Sequence, residues 1–580
     1  MTLTAVDWAV ILAYFVLSLV VGVVFSGRAG TSSTEYFLSG RSMPWWLAGT
    51  SMVATTFAAD TPLAVTGLTV KHGIAGNWLW WSFVMSGMLT VVFYARLWRR
   101  AGVMTDAEFA ELRYAGRPAA FLRGFRACYL ALAVNSIIIG WVTSAMAKIV
   151  GLTLGVDKWQ AIVVLFLVTG LYSTLSGLWG VVVTDFFQFL LAMTGCIVLA
   201  GFALGAVGGL DCLLAALHAR YPDDAPLRVV PGLDSEWMPA LAFFVYLGVN
   251  WWASWYPGAE PGGGGYVAQR ILSTRDERHA LLAALWFNIA HYALRPWPWI
   301  LVALTSMVLY PGLADPELGY VHVMVDHLPP FWRGFLLAAF FAAYMSTIST
   351  QLNWGASYLV NDVYRRFWAR ARSEAHYAGV GRLATVAMMA VSGVVTLSIE
   401  SVEGAWKFLL ALGAGTGLVY LLRWYWWRIN AWSEVSAMGA ALVFSLAAQW
   451  GLGLSSDDPR GFALLLLTTT TATTAVWLAV TYLTPAEPRE TLTAFAARVR
   501  AGGPGWRAIA PDAAGGQRIG AGLLLWVLGC AVVYLGLFGI GGLLLRRPLQ
   551  GVGALAAAAA LTWYLVRATR VAPEAGDRVV

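Results

Sequence analysis

Apolar runs of about 20 residues, separated by short polar stretches, recur along almost the whole 580-residue chain. As helices, such runs are long enough to cross a hydrocarbon core of ~30 Å. Windows of about 19 residues predict spans at 5–25, 46–70, 77–98, 128–151, 159–176, 181–204 and 238–255. A more interrupted eighth covers 280–309, and further spans fall at 331–360, 379–399, 405–427, 435–454, 461–483, 519–545 and 552–566. The predicted fold is all-α: a polytopic membrane protein of about fifteen transmembrane helices in one membrane domain.

Composition agrees, since 59% of the residues are hydrophobic and only 12% charged. A soluble surface of this size would need far more Lys, Glu, Arg and Asp. The net charge of +7 does not point to nucleic acid, because the basic residues lie between apolar spans and form no aromatic-interleaved basic surface. They report topology instead. Arginines such as Arg99, Arg100, Arg113, Arg123, Arg126, Arg275 and Arg365 fall in alternate loops, whereas the intervening loops carry Asp223, Asp234, Glu317, Asp326, Glu400 and Glu403. The positive-inside rule then puts the N-terminus outside and the C-terminus in the cytoplasm of a bacterial inner (plasma) membrane. The first run has neither a basic segment before it nor a cleavage site, so it is expected to stay as a helix. Cys128, Cys196, Cys212 and Cys530 are scattered through apolar sequence and read as unpaired buried thiols. The expected functional unit is a monomer in the bilayer.

Three stretches break the rules of helix chemistry at membrane depth. In Ala54-Thr-Thr-Phe-Ala-Ala-Asp60-Thr-Pro62, the proline lacks an N–H and disfavours helical geometry at Thr61. From Asn250 to Gly265, an apolar half-helix runs into Pro257, Pro261 and four consecutive glycines. From Ala343 to Gln351, Ser346, Ser349 and Thr350 share one helix face on an otherwise apolar span. Irregular backbone survives in a membrane only when buried in protein or lining a wet cavity. Two interrupted helices about five spans apart point to an inverted-repeat transporter with its sites at the breaks.

Several motifs carry a resemblance to a known family. Glu35-Tyr-Phe-Leu-Ser-Gly-Arg-Ser-Met-Pro-Trp45-Trp46, Gly102-Val-Met-Thr-Asp-Ala-Glu108-Phe with Arg113-Tyr114, and Leu171 to Gln188 around Asp185 stand in order along the chain. Val267-Ala-Gln269-Arg270, Ser346-Thr347 and Asp362-Val-Tyr364 follow. Together they resemble the sodium:solute symporter family, over about residues 5–430. The resemblance implies a five-plus-five inverted-repeat core at 46–430. Residues 1–45 would form a leading helix and loop, and 431–580 about four accessory helices with a tail. It further implies sodium held by the carbonyls of Ala54, Phe57 and Ala343 and the hydroxyls of Ser346 and Thr347, with Asp185 nearby. Relatives that bind a second sodium use a hydroxyl where this chain has Ala343, so a single ion is implied.

The expected solute-binding set is Thr56, Asp60, Asn250, Trp251, Trp252, Trp255, Tyr256 and Glu260. Ionisable groups at membrane depth are costly enough to be read as functional, and the aromatics can stack on a sugar face or hold an ammonium. Asn288, His291 and Arg295 share a helix face. Arg295 needs a partner, either Glu260 or Asp185, or else attracts an anionic solute; His291 reads as a packing residue. Gly262–Gly265 lacks the lysine and hydroxyl of a phosphate loop, and no catalytic constellation is present, so no enzyme is expected. The reading is a secondary carrier that couples sodium to a small polar organic solute, a sugar, polyol or amine. Proton coupling remains an alternative, as do a passive channel and a sensor.

Overall fold

The structure is a computed structural model that describes residues 3–29, 38–175, 178–511 and 519–568. Residues 35–37 and 176–177 of the motifs above, and the tail from 569 on, lie outside the described residues. Among the described residues the secondary structure is helical, with a single isolated bridge between Met43 and Thr274. Nine of these helices are long and apolar enough to cross a membrane, among them Ile74–Ala101, Gly116–Leu154, Trp332–Trp368 and Ile519–Leu544. Ala5–Ser18, Lys158–Gly170 and Ala240–Ala253 are shorter apolar helices. The stretches at 45–72 and 277–309 are divided and form no single regular rod.

The first division falls between Trp45–Thr56 and Asp60–His72. The chain leaves the helix at Phe57 (φ −91°, ψ 75°), upstream of Pro62. Pro62 itself sits in the first turn of the second half-helix, where a missing N–H costs nothing. The second division runs from Ser254, which is extended, to the restart at Gly265–Ser273. Gly258, Gly262, Gly263 and Gly265 all take positive φ there, which is why a glycine run rather than a helix fills this segment.

The hydroxyl-rich third stretch keeps the helical spacing that puts Ser346, Ser349 and Thr350 on one face, inside the continuous helix Trp332–Ser357. One feature departs from expectation. A further break, unmarked by proline, separates Val402–Gly413 from Gly417–Leu422. It packs on the second division: the Gly415 N–H donates to the Ala253 carbonyl at 2.8 Å. A Cβ on Gly417 would stand 2.0 Å from the Trp252 carbonyl oxygen, so only glycine permits this approach.

The first half-helix, Trp45–Thr56, lies at the centre, against Leu178–Ala206, Gly265–Ser273, Glu277–Ile289 and Trp332–Ser357. Each end of the molecule is tied by charge. At the arginine-rich end, Glu434 accepts from Arg126 at 3.2 Å, Arg423 at 3.1 Å and Tyr114 at 2.6 Å, all of them buried. This knot binds Ala431–Gly451 to the helices before it. At the opposite end, Lys71 and Lys407 reach Glu403 at 2.8 and 2.7 Å. There Glu317 Oε1 accepts the N–H groups of Val402 and Glu403, capping their helix, while Oε2 meets Lys148 at 2.7 Å.

Two outcomes follow from these ties. Glu434→Gln leaves the buried guanidinium of Arg423 without its anion and Arg126 with Asp106 alone, and is expected to cost about 3–5 kcal/mol, read as a fall in melting temperature of the solubilised protein. Burial works against ionisation of Glu403, and Lys407 and Lys71 more than reverse it, holding its carboxyl at about 2. A carboxyl held low stabilises the fold above its ordinary titration and loses that contribution as pH falls toward 2. Melting curves should therefore fall across this acid window in the wild type, and Glu403→Gln should flatten that segment.

Candidate ion and solute sites at the broken helices

Trp332–Ser357 presents Ser346 and Thr347 to the first half-helix. Thr347 Oγ1 lies 3.0 Å from the Thr55 carbonyl, freed where the helix ends, and 3.1 Å from the Ala343 carbonyl of its own helix. Ser346 donates to Asp185 Oδ1, and Ser51 donates to Oδ2 at 2.5 Å. Arg270, on the half-helix that follows the second division, stands 4.0 Å from Asp185 and donates to Thr350 at 3.1 Å and Gln269 at 2.8 Å. Ser51, Asp185, Arg270, Ser346 and Thr347 are all buried. Of the expected sodium set, Ala54 and Phe57 bracket the point where the helix ends, with the Phe57 N–H returning to the Ala54 carbonyl at 3.0 Å. The hydroxyls and main-chain oxygens gathered here are hard donors of the kind broken helices offer to sodium.

A cavity of about 60 Å³ lies against this cluster, between the two divisions. Thr55, Thr56 and Asp60 line it from the first, and Tyr256, Gly258 and Tyr266 from the second. Thr55 and Thr347 belong to both the polar cluster and the cavity wall. The Tyr256 ring lies nearly parallel to Phe83 at 5.5 Å and to Trp141 at 6.5 Å, and meets Trp406 edge-on at 5.9 Å. The Trp406 indole N–H donates to Asp60 Oδ2 at 3.1 Å. Asp60 Oδ1 is buried and has no hydrogen-bond partner among the described residues. The wall therefore offers aromatic faces and one free carboxylate oxygen.

The other expected solute residues stand elsewhere. Asn250 donates to the Leu79 carbonyl at 3.0 Å and the Ser82 hydroxyl at 3.2 Å, joining helices. Trp251 and Trp252 donate to Leu247 and Gly248 of their own helix, and Trp251 packs on Trp526. Trp255 lines a separate cavity of about 20 Å³ beside Gly413. Glu260 turns away toward Gly264 and Gly265. Trp80, Trp141 and Trp406, which line the cavity, carry no local sequence signal that names them, while His291, expected only to pack, and Gln351, at the end of the hydroxyl-rich stretch, line it as well.

Arg295 pairs with neither Glu260 nor Asp185. It donates to the Val53 carbonyl at 3.0 Å and the Thr56 hydroxyl at 3.1 Å, and its guanidinium lies over Trp299 at 5.1 Å and Phe57 at 5.5 Å. A cation at the carbonyl end of the first half-helix is favoured by the helix dipole as well as by the aromatic faces. Arg295 also donates to His291 Nδ1, so the ring carries its proton on Nε2.

A profile of the sodium:solute symporter family matches residues 36–441. The chain belongs to the sodium:solute symporter family. Its similar relatives include sodium/glucose cotransporter 4 of Danio rerio, 26% identical over 496 residues that cover 77% of this chain and 72% of that one. The sodium/glucose cotransporter of Vibrio parahaemolyticus is 24% identical over 472 residues, covering 77% and 85%. The sodium/mannose cotransporter of Bos taurus is 26% identical over 471 residues, covering 74% and 76%. In fold, the chain is similar to a Na+-coupled sialic acid symporter solved in a substrate-bound outward-open state. The TM-score is 0.67 at 20% identity, covering 84% of this chain and 99% of that one. As a sodium:solute symporter, the protein is a multi-pass membrane carrier and not an enzyme, and sodium is its coupled ion.

Proposed function

We propose that this symporter moves a small polar organic solute, a sugar, polyol or amine, by alternating access, with sodium and solute bound side by side at the two broken helices. One observation carries the reading: Thr347 and Thr55 belong at once to the oxygen cluster and to the cavity wall. Sodium is assigned to the carbonyls of Ala54, Phe57 and Ala343 and the hydroxyls of Ser346 and Thr347, with Asp185 balancing its charge. Thr347 gives up its hydrogen bond to Thr55 when the ion arrives, which changes the cavity wall the solute meets. Binding energy of one ligand is thereby felt by the other.

The solute lies against Tyr256, Thr56 and Asp60. The free Oδ1 of Asp60 selects a hydrogen-bond donor, hydroxyl or ammonium, and disfavours an anion. Flat aromatic faces suit the apolar face of a sugar ring or a cation. The glucose and mannose named for the relatives support the sugar end of this class. Transport is assigned to 46–430, with 431–580 accessory, in a monomer of the bacterial inner membrane. The arginine-rich end would face the cytoplasm, leaving the N-terminus outside and the C-terminus within.

A thermal-shift screen of sugars, polyols and amines in sodium and in potassium should give a hit that stabilises only in sodium, and uptake of that hit into proteoliposomes should need a sodium gradient. Sodium-independent accumulation would sink the symport. Ser346→Ala with Thr347→Ala should abolish stabilisation by sodium alone; an unchanged sodium response removes the ion site from these residues. Asp60→Asn should weaken solute binding roughly 10- to 100-fold, the loss of a charge-assisted hydrogen bond, while sodium stabilisation persists.

A further inference from the structure

Glu260 lies immediately past Ala259, which lines the cavity, and before the glycines at which the helix restarts. It is 3% exposed, and neither of its carboxyl oxygens has a hydrogen-bond partner among the described residues. The main-chain N–H groups of Gly258 and Glu260 face the carboxyl without reaching hydrogen-bond geometry. A Cβ on Gly265 would stand 2.5 Å from Glu260 Oε1, and one on Gly264 would stand 3.3 Å from Glu260 Cβ and 3.6 Å from Asp106 Oδ2. The Gly265 N–H itself donates to Asp106 Oδ2 at 3.1 Å. Two carboxyl groups therefore face each other across one glycine.

Their neighbours treat them differently. Asp106 has the Gly265 N–H, the Tyr358 hydroxyl and Arg126 at 3.3 Å. Arg126 is shared with Glu434 at 3.2 Å, so its charge is already balanced. The remaining ionisable groups near Glu260 are the phenols of Tyr266 and Tyr292, which supply no positive charge. An ionised carboxylate buried without a donor costs several kcal/mol, and the charge on Asp106 adds repulsion. The neutral acid avoids both terms.

We propose that Glu260 is a proton-binding site: its carboxyl holds a proton while the second broken helix is packed, and releases it to water when the glycine break opens toward the arginine-rich end. The step is the exchange of one proton between a carboxylate and hydronium, and it needs no further reactant. The symporter then senses, and carries, a proton at a position separate from the sodium cluster. The timing of release rests on the alternating-access reading, whereas the protonated carboxyl does not.

Infrared spectroscopy of the purified full-length protein in heavy water reads the carbonyl stretch of a protonated carboxyl directly. The wild type at neutral pH is expected to show such a band, and Glu260→Gln to lack it. A difference spectrum with no such band overturns the proposal. Glu260→Met, of similar length and also uncharged, makes the same subtraction should the Gln variant not purify. In proteoliposomes under a sodium gradient, an enclosed pH dye is expected to report proton movement that Glu260→Gln abolishes; equal movement in the two proteins overturns the release step. Loss of sodium-driven uptake with the band intact would strike the symport reading and leave the proton site standing.

Discussion

Main-chain N–H and C=O groups at membrane depth have no bulk water to bond to, so every interruption of a helix has to be answered from inside the protein. At the first division, the Val53 carbonyl is taken by Arg295, that of Thr55 by Thr347 and that of Thr56 by the Thr61 hydroxyl at 3.1 Å. At the second, the Ala253 carbonyl is taken by the Gly415 N–H, Ala259 by the Ser86 hydroxyl at 3.0 Å and Gly262 by the Trp98 indole at 2.8 Å. Apart from Thr61, the donors come from helices far apart in sequence. The need to satisfy two short irregular segments thus decides which helices must surround them, and the cavity is the space left between.

The same requirement divides the partners into fixed and exchangeable ones. Arg295 is held by a carbonyl, a hydroxyl and two aromatic faces, and losing it would expose a helix end. Thr347 offers only a neutral hydroxyl to Thr55, a bond worth on the order of 1 kcal/mol net. A monovalent cation competes easily with a bond of that size. The weak partner therefore sits where exchange is useful, and the strong one where it is not.

Much of this was legible in the sequence, and the omissions have physical reasons. Apolar runs announced the helices, and Pro62 with the Pro257 to Gly265 run announced both divisions of the broken helices. The break at Gly413–Gly417 carries no proline and is shaped by its close packing on Trp252, which only the fold supplies. Arg295 was expected to seek an opposite charge, but a main-chain carbonyl, a hydroxyl and ring faces answer a guanidinium as well. Sequence spacing fixes how residues share a helix face, not which neighbour that face meets; Trp251 and Trp252 therefore looked like pocket residues, while Trp141 and Trp406 did not.

The cluster around Asp185 links these arguments. Both of its oxygens accept from hydroxyls, Ser51 on the first half-helix and Ser346 on Trp332–Ser357, and Arg270 approaches from the half-helix after the second division. A serine that donates its proton to a carboxylate turns its lone pairs the other way, which is what a metal ion requires of it. In the proposed sodium site, Asp185 would thus act on the ion by orienting Ser346 as well as by its charge. Arg270 ties that orientation to the second broken helix, so neither helix can shift without changing the hydroxyls offered to the ion. Ion affinity and helix position are then two readings of one hydrogen-bonded arrangement, and coupling needs no longer pathway than this.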